Sequence, residues 1–229
     1  MRLDKFVCKS TELTKNEAVQ RIHFGEVSVN NKITTNEATQ VHENNTIMLG
    51  KLRLEARDFR YILMHKPAGT ICSNIDEIYP TLFNYLDVDK VSELHIAGRL
   101  DADTTGLVLI TDDGRWSFNI TVPTKECCKV YRVTLSNEIA DDVAFKFEKG
   151  VQLQGEQQLT LPATLEVITP KVVLLTITEG KFHQVKRMFA AVGNRVVSLH
   201  REQIGDVCLD VELGQWRYLT NDEVQSFTQ

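Results

Sequence analysis

With 229 residues, 42% of them hydrophobic and 25% charged, the chain has an ordinary globular composition and the length for one large domain or two modest ones. No apolar run approaches a membrane span and no secretory leader pattern stands out, so a cytoplasmic protein is expected. Five cysteines, an odd number without two C-x-x-C pairs, argue against a disulfide framework and a structural zinc site; the adjacent Cys127 and Cys128 are read as reduced.

The net charge of −5 does not favour nucleic acid, because phosphate binding needs concentrated positive charge. Its distribution says more. Residues 1 to 57 hold nine Lys/Arg against seven Asp/Glu, a balance of +2, whereas the remainder holds 17 against 24, a balance of −7. Within that remainder, positions 179 to 202 carry five Lys/Arg against two Glu, a second basic patch. A globally acidic protein can therefore still own a basic cleft.

In chain order, Leu3, Phe6 and Val7 follow i, i+3, i+4 spacing and predict a short helix that buries that face while Arg2, Lys5 and Lys9 point elsewhere. Thr14 to Glu17 reads as a capping box, with Ala18, Val19 and Ile22 as the apolar stripe of a second helix that stops at Gly25. Glu26 to Val29, the turn Asn30-Asn31 and Lys32 to Thr34 read as a hairpin. The polar stretch Gly50 to Arg60 is read as a linker. Beyond it, strands are predicted at Tyr61 to His65, Leu107 to Thr111, Val130 to Leu135, Leu165 to Ile168, Val172 to Ile177 and Val196 to Leu199. Ile139, Val143 and Phe147 mark one helix before Gly150, and His183 to Val192 another. A capping box at Thr220 to Glu223 opens a terminal helix, and Leu213 to Arg217 is read as a structural end of the sheet. The pattern is α+β, divided at about residue 57 into a small module and a larger domain, 58 to 229, with a mixed, mainly antiparallel sheet.

The most informative stretch is His95 to Gly114, HIAGRLDADTTGLVLITDDG. Gly98 and Gly106 bracket an arginine and two carboxylates ahead of a buried strand, an arrangement suited to an active-site loop. Spacing alone equally allows an Asp-rich surface turn. Asp103, Asp112 and Asp113 read as loop and turn residues, Asp113-Gly114 as the turn closing the strand, and their spacing lacks the convergent oxygens of a metal site.

GRLDADTTGLVLIT closely resembles the signature of RNA pseudouridine synthases, and two further matches follow in order: Lys129-Val130-Tyr131, and EGKFHQVKRM from Glu179 to Met188. Lys66-Pro67-Ala68-Gly69 resembles a family loop, although its local reading is only a turn. The resemblance runs essentially end to end and is strongest to the small-ribosomal-subunit type. The first module resembles the S4-like RNA-binding domain, so Arg2, Lys5, Lys9, Lys15, Arg21 and Lys32 become candidates for a phosphate-gripping face. Without the resemblance they read as well as an ordinary solvated face.

By that resemblance Asp101 is the nucleophile, acting either on the anomeric carbon of ribose or on the neighbouring ribose proton. Tyr131, which its strand pattern alone would make a core residue, stacks on the target base. Lys186 stands where relatives carry an arginine that pairs with the aspartate. This matters because an unpaired carboxylate in a dry pocket tends to take up a proton. Lysine is a point charge rather than a planar fork, which leaves Arg187 as the reserve partner. Arg99 is a candidate for a phosphate contact or for occupying the space of the flipped nucleotide; His183 and Gln184 are candidates for RNA contact. Val185 is expected to pack against the base pocket.

The implied reaction is site-specific isomerisation of uridine to pseudouridine in 16S ribosomal RNA, at uridine 516. The expected substrate is a small-subunit assembly intermediate, handled by a monomer with no cofactor and no metal. Because the product is an isomer, no redox cofactor is required. Three alternatives remain: a pseudouridine synthase acting on a different rRNA site, a non-catalytic RNA-binding assembly factor, and a carboxylate-dependent glycosidase or nucleosidase using Asp101 and Asp103. The close spacing of those two carboxylates on one loop suits the glycosidase poorly.

Overall fold

A computed structural model describes residues 1–228 and divides them into two compact units, Met1–Asp58 and the chain from Phe59 onward. The first unit runs α1 (Leu3–Ser10), α2 (Lys15–His23), β1 (Val27–Val29), β2 (Lys32–Ile33), β3 (Ile47–Leu49) and β4 (Leu52–Arg53). Its antiparallel sheet has the order β2-β1-β3-β4. Thr14 and Glu17 form the capping box that starts α2, each satisfying a free amide at the other's position. Asn30 and Asn31 join β1 to β2 with φ of 50° and 66°, the doubly left-handed turn whose twist suits a two-residue hairpin and which asparagine tolerates. Leu3, Val7, Ala18, Ile22, Val27, Val41, Ile47 and Leu54 close the core.

Two expectations are corrected here. Lys9 does not point away from the buried face of α1: it is 6% exposed, so it is not placed to meet a phosphate. The segment read as a linker begins later than expected, because β4 pairs with β3 and Leu54 is buried in the core. Leu54 alone supplies the buried anchor of that stretch, while Leu52 stays 62% exposed.

The second unit runs β5 (Tyr61–Lys66), β6 (His95–Ala97), β7 (Thr105–Thr111), α3 (Gly114–Thr121), β8 (Lys129–Leu135), α4 (Val143–Lys149), β9 (Thr164–Thr169), β10 (Val172–Ile177), α5 (Gln184–Ala191), β11 (Val196–Ile204), β12 (Val207–Cys208), β13 (Trp216–Tyr218) and α6 (Asn221–Gln225). Nine strands form one sheet of order β13-β5-β7-β11-β8-β10-β9, with β6 paired to β7 and β12 to β11. Every pairing among these strands is antiparallel except β7 with β11. The fold is α+β.

Alternation along the strands sorts side chains to two faces. Ile62, Met64, Val108, Ile110, Val133 and Leu175 lie in one core with Phe147 of α4 and Met188 and Phe189 of α5. Leu63, Leu107 and Leu109 lie in the other with Trp116 and Ile120 of α3 and with Phe227. Asp113 does not close a turn but caps α3, its carboxylate accepting the amides of Arg115 and Trp116 at 2.9 and 3.2 Å. The helix expected from Ile139 starts at Val143, and the Ile139 amide is bonded to the Pro170 carbonyl instead. No helix among the described residues is long and apolar enough to cross a membrane.

Candidate active site

One rung of the large sheet organises the site. Lys66 on β5 lies opposite Gly106 on β7, Gly106 opposite Arg201 on β11, Arg201 opposite Tyr131 on β8, and Tyr131 opposite Leu175 on β10. The rung therefore sets two cations and a phenol in register, and glycine sits between the cations. Gly106 has φ +114°, and a Cβ there would fall on the backbone of Arg201, so no other residue fits this crossing.

Both cations are buried, Lys66 at 0% and Arg201 at 1% exposure, and each gives at least one donor to the loop between β6 and β7. Lys66 Nζ donates to the carbonyls of Ala102 and Thr104 at 3.3 and 2.8 Å and to that of Pro67 at 3.1 Å. Arg201 donates to Gly98 and Leu107, each at 2.7 Å. The Gly69 amide reaches Ala102, and the Leu100 amide reaches the Cys72 thiol. Burial pulls the Lys66 ammonium below its ordinary range, against the opposing pull of Cys72, Asp103 and Asp101. A loop whose carbonyls are tied to buried cations is a rigid mount for the side chain it presents, Asp101.

The Asp101 carboxylate meets Lys186 Nζ of α5 at 3.0 Å, and the same ammonium meets Asp103 at 2.6 Å. Burial would lower the Lys186 ammonium, but its bonds to the two carboxylates outweigh that and hold it above its ordinary range. Lys186 in turn holds the Asp103 carboxyl below its own. His183 Nε2 lies 3.4 Å from the second oxygen of Asp101. Asp101, Lys186 and His183 border a solvent-facing cleft lined also by Leu100, Tyr131, Ile177, Val185 and Leu199 and by Arg99, Lys181 and Gln184. Apolar walls, one carboxylate and a cationic rim suit a planar uncharged ring attached to phosphates.

Tyr131 is 7% exposed and borders this cleft. Arg201 Nη1 donates to its hydroxyl at 3.2 Å. A guanidinium only donates, so the phenol oxygen accepts and its own proton remains free for a group in the cleft.

The structure brings Asp101, Tyr131, Lys186, Arg99, His183 and Gln184 around one cleft and turns one other expected residue away. Arg187 turns away from Asp101 to Glu156 and to the carbonyls of Phe182 and Gln154, so Lys186 rather than Arg187 makes the pair. Gln184 is 4% exposed, bonded to Glu179 and the Lys181 amide. It shapes the turn before α5 and lines the cleft next to Val185, with little of its surface exposed. Lys66 was read only as part of a turn, and Arg201 was missed. A signal existed for Arg201, which shares the alternation of Leu199 and so falls on the buried face of β11. Among the described residues no cluster of His, Cys, Asp and Glu could hold a metal.

In the first unit the candidate cations are dispersed. Lys5, Lys15 and Lys32 are exposed, Arg2 is bonded to the buried Asp4, and Arg21 is paired with Glu26.

Residues 60–191, which contain the loop, Lys66, Tyr131 and α5 but not Arg201, match the RNA pseudouridylate synthase family. The chain belongs to that family. Residues 1–47 match the S4 domain family. Over 228 residues, 99% of each chain, it is 50% identical to the ribosomal small subunit pseudouridine synthase A of Vibrio cholerae. To the protein of the same name from Escherichia coli K12 it is 49% identical over 229 residues, again 99% of each. A crystal structure of a pseudouridylate synthase superposes with a TM-score of 0.73 at 43% identity, covering 99% of both chains. Membership of this synthase family disfavours the glycosidase reading.

Proposed function

We propose that this protein converts a single uridine of 16S ribosomal RNA, uridine 516, to pseudouridine during small-subunit maturation, with Asp101 as the nucleophile. The observation that carries the reading is the Asp101 carboxylate, presented by a pinned loop, ion-paired to Lys186 and bordering the same cleft as Tyr131. The relatives named as ribosomal small subunit enzymes support the choice of RNA.

The reaction breaks the bond between ribose C1′ and uracil N1 and makes one between C1′ and C5. The hydrogen on C5 is lost and N1 gains one, so atoms and electrons balance without an external reagent. Asp101 begins it by adding to C1′ or by removing the proton from C2′. Tyr131 offers a flat face to the base while it turns and, through its free hydroxyl proton, a partner for proton transfer. Lys186 supplies the countercharge to Asp101, and Arg99 faces the ribose-phosphate backbone. The first unit grips phosphates through Lys5, Lys15 and Lys32 and positions the RNA, which is taken in a locally opened strand by a single protomer in the cytoplasm.

Pseudouridine mapping of ribosomal RNA from cells with and without the protein tests the reading. Loss of one modification at uridine 516 is expected. Loss at another position would overturn the site, and an unchanged map would favour a non-catalytic assembly factor.

A further inference from the structure

Phe182 is the side chain that the site leaves unused. Its ring is 76% exposed, although it stands next to His183, which reaches the nucleophile. Folding gains almost nothing from a phenyl ring in water. The ring nevertheless has a defined place, stacked on the His183 imidazole with centroids 3.8 Å apart and planes inclined by 22°.

The turn that carries the pair is clamped from both sides. The Phe182 carbonyl accepts from Arg187 at 2.9 Å, and Arg187 is itself fastened to Glu156 and to the Gln154 carbonyl. On the other side the Lys181 amide donates to the buried Gln184 at 2.8 Å. His183 takes φ +48°, a left-handed conformation uncommon for a side chain of its size. One face of Phe182 is covered by His183, and the high exposure leaves the other face to solvent.

We infer that Phe182, backed by His183, is a stacking platform for the nucleobase next to the target uridine. The inference rests on the proposed RNA substrate. When a uridine leaves its stack for the cleft, its neighbour loses the ring it lay against, and a rigid aromatic face at the rim replaces it. Lys181 and Arg99, which line the cleft, favour the adjoining phosphates. Stacking reads no hydrogen-bond pattern, so the platform serves affinity for an opened strand rather than the choice of base.

The test uses the full chain and small-subunit ribosomal RNA carrying the mapped target. Phe182→Ala and Phe182→Leu should each lower kcat/KM by roughly 10- to 100-fold, mostly through KM, while Phe182→Trp should stay within about threefold of the parent. Leucine keeps the apolar area but not the plane, so it separates stacking from greasiness. A second readout places 2-aminopurine beside the target uridine in an RNA bound to protein carrying Asp101→Asn. Its fluorescence should stay quenched with Phe182 present and brighten with Phe182→Leu. Equal kcat/KM and equal fluorescence for Phe182→Leu and the parent would overturn the platform alone. A parent protein that makes no pseudouridine in any small-subunit RNA would overturn the underlying function instead.

Discussion

The two units hold positive charge in opposite ways. In the larger one, cations from β5, α5 and β11 converge on nine residues of backbone: Lys66 and Arg201 tie down the loop from Gly98 to Gly106, and Lys186 meets its two carboxylates. In the smaller one, six candidate cations are scattered, with Lys9 buried, Arg2 and Arg21 paired, and Lys5, Lys15 and Lys32 exposed. Yet the smaller unit has the more basic composition. Convergence on the loop that presents one carboxylate, not the charge balance, is what makes a reaction centre; dispersed exposed lysines are what a phosphate backbone needs.

The sharpest way to break that contrast is to remove the point of convergence. Asp101→Asn should cost roughly 10⁴- to 10⁶-fold in single-turnover rate, as loss of a nucleophile does, with RNA affinity nearly unchanged. Asp103→Asn, which removes only the second partner of Lys186, should stay within about fivefold. Equal rates for the two variants, measured by pseudouridine release after nuclease digestion, would sink the assignment of Asp101.

Next in size is the rung. Tyr131→Phe keeps the flat ring but leaves Arg201 Nη1 without its acceptor in a site that is 1% exposed. It should cost about 1–3 kcal/mol of stability and slow turnover through lost proton handling. Tyr131→Ala should be slower still, because the platform for the base goes as well. Thermal melts and single-turnover rates separate the effects: a stability loss with unchanged turnover in both variants would return Tyr131 to a purely structural role.

A smaller effect is expected at α5. Lys186→Ala removes the countercharge from a half-buried carboxylate and should slow the chemical step by about tenfold, more than it weakens binding. Arg187→Ala should do the reverse, since Arg187 braces the turn that holds Phe182 and His183 and does not meet Asp101. A binding defect alone in Lys186→Ala would contradict the ion-pair role.

Most of the strands of the larger unit and both capping boxes were legible in the sequence, because alternation and cap chemistry are local. The terminus at Asp113 was misread because an Asp-Gly pair suits a turn and a helix start equally well. Strand β6 was missed because three residues beside a glycine carry too little pattern. At the site, Asp101, Tyr131 and Lys186 were legible through motifs. Arg201 was not, since its partners lie 70 to 103 residues away and only the register of β7, β11 and β8 brings them together. Lys66 likewise acts across 36 and 38 residues, so the family-like loop it opens marks the segment but not what its ammonium holds. Local chemistry is readable residue by residue, whereas pairing across strands is a property of the assembled sheet.

The smallest effects test the dispersed side of the comparison. Replacing Lys5, Lys15 and Lys32 together by Gln should leave the melting curve unchanged and reduce the slope of log affinity against log salt by about two, at roughly 0.7 to 0.9 per phosphate contact. Arg2→Gln should behave differently, because Arg2 bonds Asp4 at 3.1 and 3.0 Å and Asp4 is 2% exposed. Burial pushes the Asp4 carboxyl up, but the bonds from Arg2 and the Lys5 amide outweigh it and hold it below its ordinary range. A carboxyl lowered on folding contributes stability above its unfolded value and loses it as pH falls through the folded one. The parent should therefore show faster amide exchange in α1 as pH drops below the ordinary carboxylate range, beyond what intrinsic exchange chemistry accounts for. Arg2→Gln should show that faster exchange already at neutral pH while keeping most of the salt slope. If Arg2→Gln instead lowered the slope as much as a lysine does and left α1 exchange untouched, Arg2 would belong with the phosphate-gripping residues, and the division between structural and exposed cations in the smaller unit would be wrong.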